Sequence, residues 1–220
     1  MTVTLKVRDD IAVLQIDDGK RNVVNHEVLA ELEELWAEAE QNASAIVLKG
    51  REGCFCAGYD IRVMTGGDRE ASARLGKRGG RMAERIYSCP KPVVGLTQGH
   101  CFTIGLVWLA GCDVRIAEQG DFRLGMTEVA LGVTLSGWAL EAMRDRVRPV
   151  HRIAALQHST QYLPEGALEA GFVDEVVASG DGFEAALAKA KALAELPAEA
   201  YGQTKLALRD SMLQAMRAGL

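Results

Sequence analysis

The sequence predicts an α/β protein with a helical C-terminal region, and three observations carry that prediction. Short apolar runs at strand period alternate with amphipathic segments at helical period. Gly and Pro mark the changeovers, as in "AIVLKG" and "CPKPVVGLTQG". Residues 181–220 hold two alanine-rich amphipathic segments divided by Pro197.

The elements follow in order. "TVTLKVRDDIAVLQID" reads as two strands around the turn-like Arg8-Asp9-Asp10. Val3, Leu5 and Val7 alternate with Thr4 and Lys6, while Ile11, Val13, Leu14 and Ile16 alternate less cleanly. "NHEVLAELEELWAEAEQN" is a helix, with Asn25 as its N-cap and Val28, Leu29, Leu32, Leu35, Trp36 and Ala39 as one apolar stripe. "AIVLKG" is a buried strand. Residues Met64 to Ala83 are polar, basic and Gly-rich, and read as a surface loop or a mobile helix. "RMAERIYSCPKPVVGLTQG" is a helix end, a Pro-bracketed turn and a strand. "FTIGLVWLAGC" reads as a buried helix and "DVRIAE" as the next strand. "LEAMRDRVRP" and "VHRIAALQHS" read as helices, and "LPEGALEAGFVDEVV" as helix, Gly turn and strand. No composition break marks a second domain. The expectation is one core over residues 1–180, with the helices of 181–220 packed on it or on a neighbouring subunit.

Composition excludes several classes. At 220 residues, 48% hydrophobic and net charge −5, the chain suits one sizeable core. Its mild acidity and lack of a Lys/Arg block argue against a nucleic-acid partner. No N-terminal apolar segment reads as a secretory signal, and no run approaches the roughly 18 apolar residues of a membrane span. Five cysteines, an odd number without a signal, favour reduced thiols and a cytoplasmic location.

The stretch "GCFCAGYDIRVM" (Gly53 to Met64) invites several readings. Cys54 and Cys56 have one residue between them, where structural zinc sites and thiol–disulfide motifs usually have at least two. On a strand that spacing puts both thiols on one face, as small buried hydrophobes. No phosphate-loop or dinucleotide pattern is present. No Ser sits in a G-x-S-x-G elbow, and His26, His100, His151 and His158 fall in helix-start or helix contexts. Backbone chemistry remains. A Gly after a strand lets the chain turn so that the next N–H, of Tyr59, points outward. A second donor is available in "GHCFTIG", where a tight turn enters a helix whose first N–H groups lack intrahelical partners. Two such groups converging on one oxygen make an oxyanion hole, which the helix dipole reinforces. Spacing alone is equally compatible with two ordinary strand-end turns.

"CFCAGYDI", then "KPVVGLTQGHCFTIGLVWLAGCDVRIA", then "FRLGMTEVALGVTL" resemble, in order, spacing and character, the enoyl-CoA hydratase/isomerase (crotonase) superfamily. "GKRNVVNHEVLAEL", "EGALEAGFVDEVV" and "TKLALR" extend the resemblance to about residues 3–210. It implies a crotonase-like spiral of β-β-α turns whose C-terminal helices mediate a homo-trimer or hexamer. It also implies an acyl-CoA thioester substrate, whose enolate is stabilised in an oxyanion hole. By position, the donors are the backbone N–H groups of Tyr59 and Ile104. "TIG" stands where the family usually has a Gly triplet, so Ile104 is expected to crowd the site.

The same resemblance places the family's first acid/base Glu at Val107 and its second at Glu128 in "MTEVALG". Hydration ordinarily needs a base for water and an acid for the α-carbon, whereas moving a double bond between C2 and C4 needs one carboxylate. Isomerisation is therefore the preferred expectation, with hydration and a non-catalytic CoA-binding or assembly role as alternatives. Met126, Val129 and Leu131 are expected to raise the Glu128 pKa. CoA contacts are expected from "KRNVVN" and "CAGYDI", that is Lys20, Arg21, Val23, Ala57, Asp60 and Ile61, with Lys20 and Arg21 toward the phosphates or simply solvated. Asp60 also reads as structural and Asp113 as a hydrogen-bonding anchor. No metal and no cofactor beyond the CoA of the substrate are expected.

Overall fold

The chain opens with a hairpin. In the computed structural model, which describes residues 1–220, β1 (Val3–Arg8) and β2 (Ile11–Ile16) pair antiparallel. Asp9 and Asp10 bridge them at φ 50° and 64°. Two successive positive φ values match the twist of the flanking strands, and Asp tolerates them better than most residues. After β3 (Val23–Val24), Asn25 caps α1 (His26–Asn42), its Oδ1 accepting from the N–H groups of Glu27 and Val28. The predicted stripe faces inward, with Leu29, Leu32 and Trp36 fully buried.

A repeating path follows. One strand joins a large sheet, the next joins a small one, and a helix carries the chain back. β4 (Ala45–Lys49) leads to β5 (Gly53–Cys56), then through β6 (Gly58–Tyr59) and α2 (Ile61–Thr65) to α3 (Arg69–Ser88). β7 (Val93–Thr97) leads to β8 (Gly99–Phe102) and α4 (Ile104–Gly111). β9 (Val114–Glu118) leads to β10 (Leu124–Gly125) and α5 (Gly137–Arg146). α6 (Pro164–Ala170), a turn at Gly171 with φ 90°, and β11 (Glu175–Val177) complete the path. The large sheet runs β1-β2-β4-β7-β9-β11 and is parallel from β2 onward. This is the β-β-α spiral that the family resemblance implies.

Both faces of the large sheet are covered, so its strands need not alternate. Ala12, Leu14 and Ile16 join the main core with α1. Ile11 and Val13, with Val47, Leu96 and Ile116, pack under Leu187 of α7 (Gly182–Ala194). That explains the imperfect period of Ile11–Ile16. α8 (Ala198–Ala218) lies against α5 and α3, and the buried Lys205 and Arg209 reach back to Asp113 at 2.7 and 2.8 Å. Asp113 also accepts from the Val93 N–H, so it is the anchor the sequence suggests. No helix is long and apolar enough to cross a membrane.

Two expectations need correction, and one open alternative is decided. Of the surface loop or mobile helix read over Met64 to Ala83, the helix is present: residues 69–88 form one continuous helix, capped by Asp68 and clamped to α1 by Arg78–Glu33 and Arg85–Glu40. Gly79 and Gly80 are packing positions: a Cβ on Gly79 would lie 2.3 Å from the Tyr59 hydroxyl, and one on Gly80 2.4 Å from Leu220. His100 lies in strand β8, where its Nδ1 accepts from the Arg123 N–H. "VHRIAALQHS" is not one regular helix but a 3-10 turn (Pro149–His151) followed by a π-helical turn (Ile153–Gln157).

Candidate active site

The small sheet builds the site. Its strands run β10-β8-β5, all parallel, with Cys101 of β8 opposite both Leu124 and Cys56. Parallel neighbours end at one edge, and in α/β sheets the crevice beyond those carboxyl ends is where ligands bind. β5 ends into Ala57-Gly58-Tyr59, β8 into Thr103-Ile104, and β10 into Met126-Thr127-Glu128. The three residues predicted to be catalytic therefore leave three adjacent strands at the same edge.

Contact between the two donor segments is direct. Gly58 has φ 102°, a conformation only glycine adopts freely, and a Cβ there would lie 2.5 Å from Thr103 Oγ1. β6 pairs with β3, and the Asp60 N–H donates to the Val24 carbonyl at 2.8 Å. Successive N–H groups on a strand point to opposite sides, so that of Tyr59 faces away from β3. Ile104 is the first residue of α4, where an N–H has no intrahelical partner. Its side chain is 2% exposed and belongs to the main core. Thr103, held at φ 50° and ψ −120°, makes the sharp entry into the helix.

Glu128 begins a 3-10 turn (Val129–Leu131), and its Oε2 is buried without a hydrogen-bond partner. Burial raises its pKa, against a smaller opposing hydrogen bond from its own N–H. Of the neighbours expected to cause that shift only Met126 is buried, while Val129 and Leu131 are exposed. Tyr59 is close enough for its own ionisation to feel Glu128: burial first, then Cys56 and Glu128, hold its hydroxyl protonated well above the usual range.

Comparisons with known proteins bear on this arrangement. The family model described as enoyl-CoA hydratase/isomerase matches residues 6–219. The chain belongs to the enoyl-CoA hydratase/isomerase family. A probable enoyl-CoA hydratase of Bacillus subtilis strain 168 is 30% identical over 211 residues, covering 94% of this chain and 80% of that protein. The crystal structure of the enoyl-CoA hydratase EchA3 from Mycobacterium ulcerans Agy99 superposes with a TM-score of 0.96 at 32% identity, covering 100% and 96% of the two chains. The EchA3 of Mycobacterium tuberculosis superposes as a probable enoyl-CoA hydratase (TM-score 0.96, 31% identity, 100% and 93% covered). It also superposes as an apo enoyl-CoA isomerase (TM-score 0.94, 30% identity, 99% and 95% covered).

Other predicted positions of this hydratase/isomerase fold fall around the same edge. The loop before β3 lies beside the β5–β6 bend: the Arg21 carbonyl accepts from the Ala57 N–H at 3.0 Å, and Val23 pairs with Gly58. Lys20 and Arg21 are exposed and neither forms an ion pair. Ile61 is exposed. Asp60 is buried, caps α2, and forms a bidentate pair with Arg62, whose hydrogen bonds hold its carboxyl below the usual range. Val107, on α4, is buried in the main core. Cys54, Cys56 and Cys101 are free, buried thiols, and no three His, Cys, Asp or Glu side chains gather in a metal-binding cluster.

Sequence reasoning missed two residues. Asn22 is fully buried at φ 51°, and its Nδ2 donates to the carbonyls of Ile16, Cys54 and Phe55 at 2.7–3.1 Å. It fastens the Lys20–Val23 loop to β5; a lone Asn in a polar loop gives no such signal. Gly76 is the other, because its carbonyl accepts from the Tyr59 hydroxyl at 3.3 Å and so couples the bend to α3.

Proposed function

We propose that the protein moves the double bond of an enoyl-CoA thioester. The backbone N–H groups of Tyr59 and Ile104 hold the thioester oxygen, and Glu128 carries the proton. Abstraction at C2 of a 3-enoyl-CoA places charge on that oxygen, and the same proton returns at C4 to leave the conjugated 2-enoyl-CoA. Fixed donors aimed at an oxygen that gains charge are among the largest single catalytic contributions. The reaction balances without a redox or metal cofactor, because one proton leaves and one returns.

The observation that carries this reading is the unpartnered, buried Oε2 of Glu128 at the edge where both donor segments end. No second carboxylate competes for the role. Val107 is apolar, Asp60 is held by Arg62, and Asp113 by Lys205 and Arg209. Lys20, Arg21, Val23, Ala57, Asp60 and Ile61 would receive the CoA portion, with the two free cations toward its phosphates. Exposed Val129, Leu131, Val133 and Ile153 beside the site are consistent with assembly into a trimer or hexamer, which light scattering would test. A cytoplasmic location suits five free thiols.

The deciding experiment supplies 3-enoyl-CoA and 2-enoyl-CoA separately. Conjugation of the first without hydration of the second supports isomerisation. Formation of a 3-hydroxyacyl-CoA from the second would favour hydration, the reading that fits the names of the B. subtilis and M. ulcerans relatives. No turnover of either, with CoA thioester still bound, would leave a binding or assembly role.

A further inference from the structure

We infer that Cys56 is a positioning residue for the oxyanion hole, its sulfur joining the two backbone segments that supply the donors. The inference rests on the reading of Tyr59 and Ile104 given above.

Cys56 ends β5 and is completely buried. The Gly58 N–H donates to its Sγ at 3.3 Å. From the other side Gly105 lies against the same sulfur. Gly58 immediately precedes the Tyr59 donor, and Gly105 immediately follows the Ile104 donor. One side chain therefore meets a chain neighbour of each donor, by a hydrogen bond at Gly58 and by packing at Gly105. Packing says the same: a Cβ on Gly105 would lie 2.4 Å from Cys56 Cβ and 2.9 Å from Sγ. The start of α4 is thus pressed against this side chain.

Two further features fit a clamp. The β5–β8 register shifts between Cys54 and Cys56, and such irregularities re-aim side chains near active sites. Thr103 closes the opposite side, its hydroxyl seated over Gly58 in a backbone conformation that few non-glycine residues tolerate. Sulfur suits the position because its long bonds and soft surface let it accept from the Gly58 N–H while packing on Gly105. Burial pushes the thiol up to about 12, so the clamp is an uncharged S–H group throughout the working pH range and does not oppose the enolate.

The test compares Cys56→Ala, Cys56→Ser and, as a remote control, Cys89→Ala. Readouts are kcat and KM for 3-enoyl-CoA, thermal stability, and the ultraviolet band of a 3-oxoacyl-CoA, whose bound enolate reports on the oxyanion hole. Cys56→Ala should lower kcat by about tenfold or more with KM within about twofold, since small misplacements at a reacting centre are costly. Its enolate band should weaken in parallel. Cys56→Ser, which keeps an acceptor, should recover most of the loss, and Cys89→Ala should match the parent. A folded Cys56→Ala variant with parental kcat and enolate band would overturn the inference. If alanine does not fold, Cys56→Thr and Cys56→Val decide it, because they share a shape and differ in the acceptor; equal kcat values would overturn it. A parent that neither turns over substrate nor forms the enolate band would instead defeat the underlying functional reading.

Discussion

Glu128 is a carboxylate kept where its charge is costly. Burial raises its pKa above the ordinary 4.5. The folded chain then holds this proton more tightly than the unfolded chain. The group's contribution to stability is full below about pH 4.5 and is lost as pH rises through the folded-state value. Glu128→Gln should therefore unfold at a higher temperature than the parent at pH 7, and calorimetry should find the gap closing in acid. The same substitution should lower kcat by about 10²–10⁴-fold, the usual range for a lost acid/base group. In the parent, the rising limb of kcat against pH should sit above the normal carboxylate range. Tyr59 is a second test at this scale. Its ring fills space that a small residue would leave open under α3, so Tyr59→Ala should shift preference among acyl chains far more than it shifts stability. Turnover of a chain-length series checks this, and an unchanged preference would remove the specificity role. Thr103 is a third: at φ 50° and ψ −120°, Thr103→Gly should relieve strain and gain about 1 kcal/mol in denaturant unfolding. It should also loosen the contact with Gly58.

At the level of elements, α3 shows where composition leaves a choice open. Gly76, Gly79 and Gly80 together with many charges read as loop or mobile helix, and the segment is a capped, twenty-residue helix. Two of the glycines are packing positions, because Tyr59 approaches Gly79, and Trp138 and Leu220 approach Gly80, more closely than a Cβ permits, while a Cβ on Gly76 would meet nothing. A backbone approached by distant side chains is invisible to local periodicity. Gly79→Ala should consequently destabilise the protein by about 1–3 kcal/mol, the cost of overpacking, although alanine is the better helix former. Urea unfolding with the parent as reference measures it, and a stabilised variant would show that Tyr59 is free to move. The opposite case is α4. Its residues are all buried, and the apolar run with Gly105 near its start was legible as a buried helix because no solvated face was needed. β8, preceding it, was less legible: four residues with one exposed His carry too little pattern to separate a new strand from the end of β7.

Across the whole molecule, a buried ion group holds the C-terminal helix to the spiral. Lys205 and Arg209 of α8 share Asp113, which stands between β7 and β9 and also receives the Val93 N–H. Asp113→Ala should cost about 3–5 kcal/mol, because two buried cations lose their counter-charge. Loss of cooperativity, with α8 released first, would appear in hydrogen exchange at 198–218. Sequence alone determined the α/β class, the capped first helix and the glycine bend before Tyr59, since each rests on local period or local backbone demand; the β-β-α order came only from the family resemblance. The resemblance of its ordered blocks pointed to the family and to Glu128. Tertiary structure alone decided that the bend, the α4 N-terminus and Glu128 leave neighbouring parallel strands at one edge. It also decided that Ile104 is buried in the main core and that Cys56 stands between the two donor segments. Those facts depend on register between strands far apart in the chain, and register is set by packing over the whole core, which no single segment encodes.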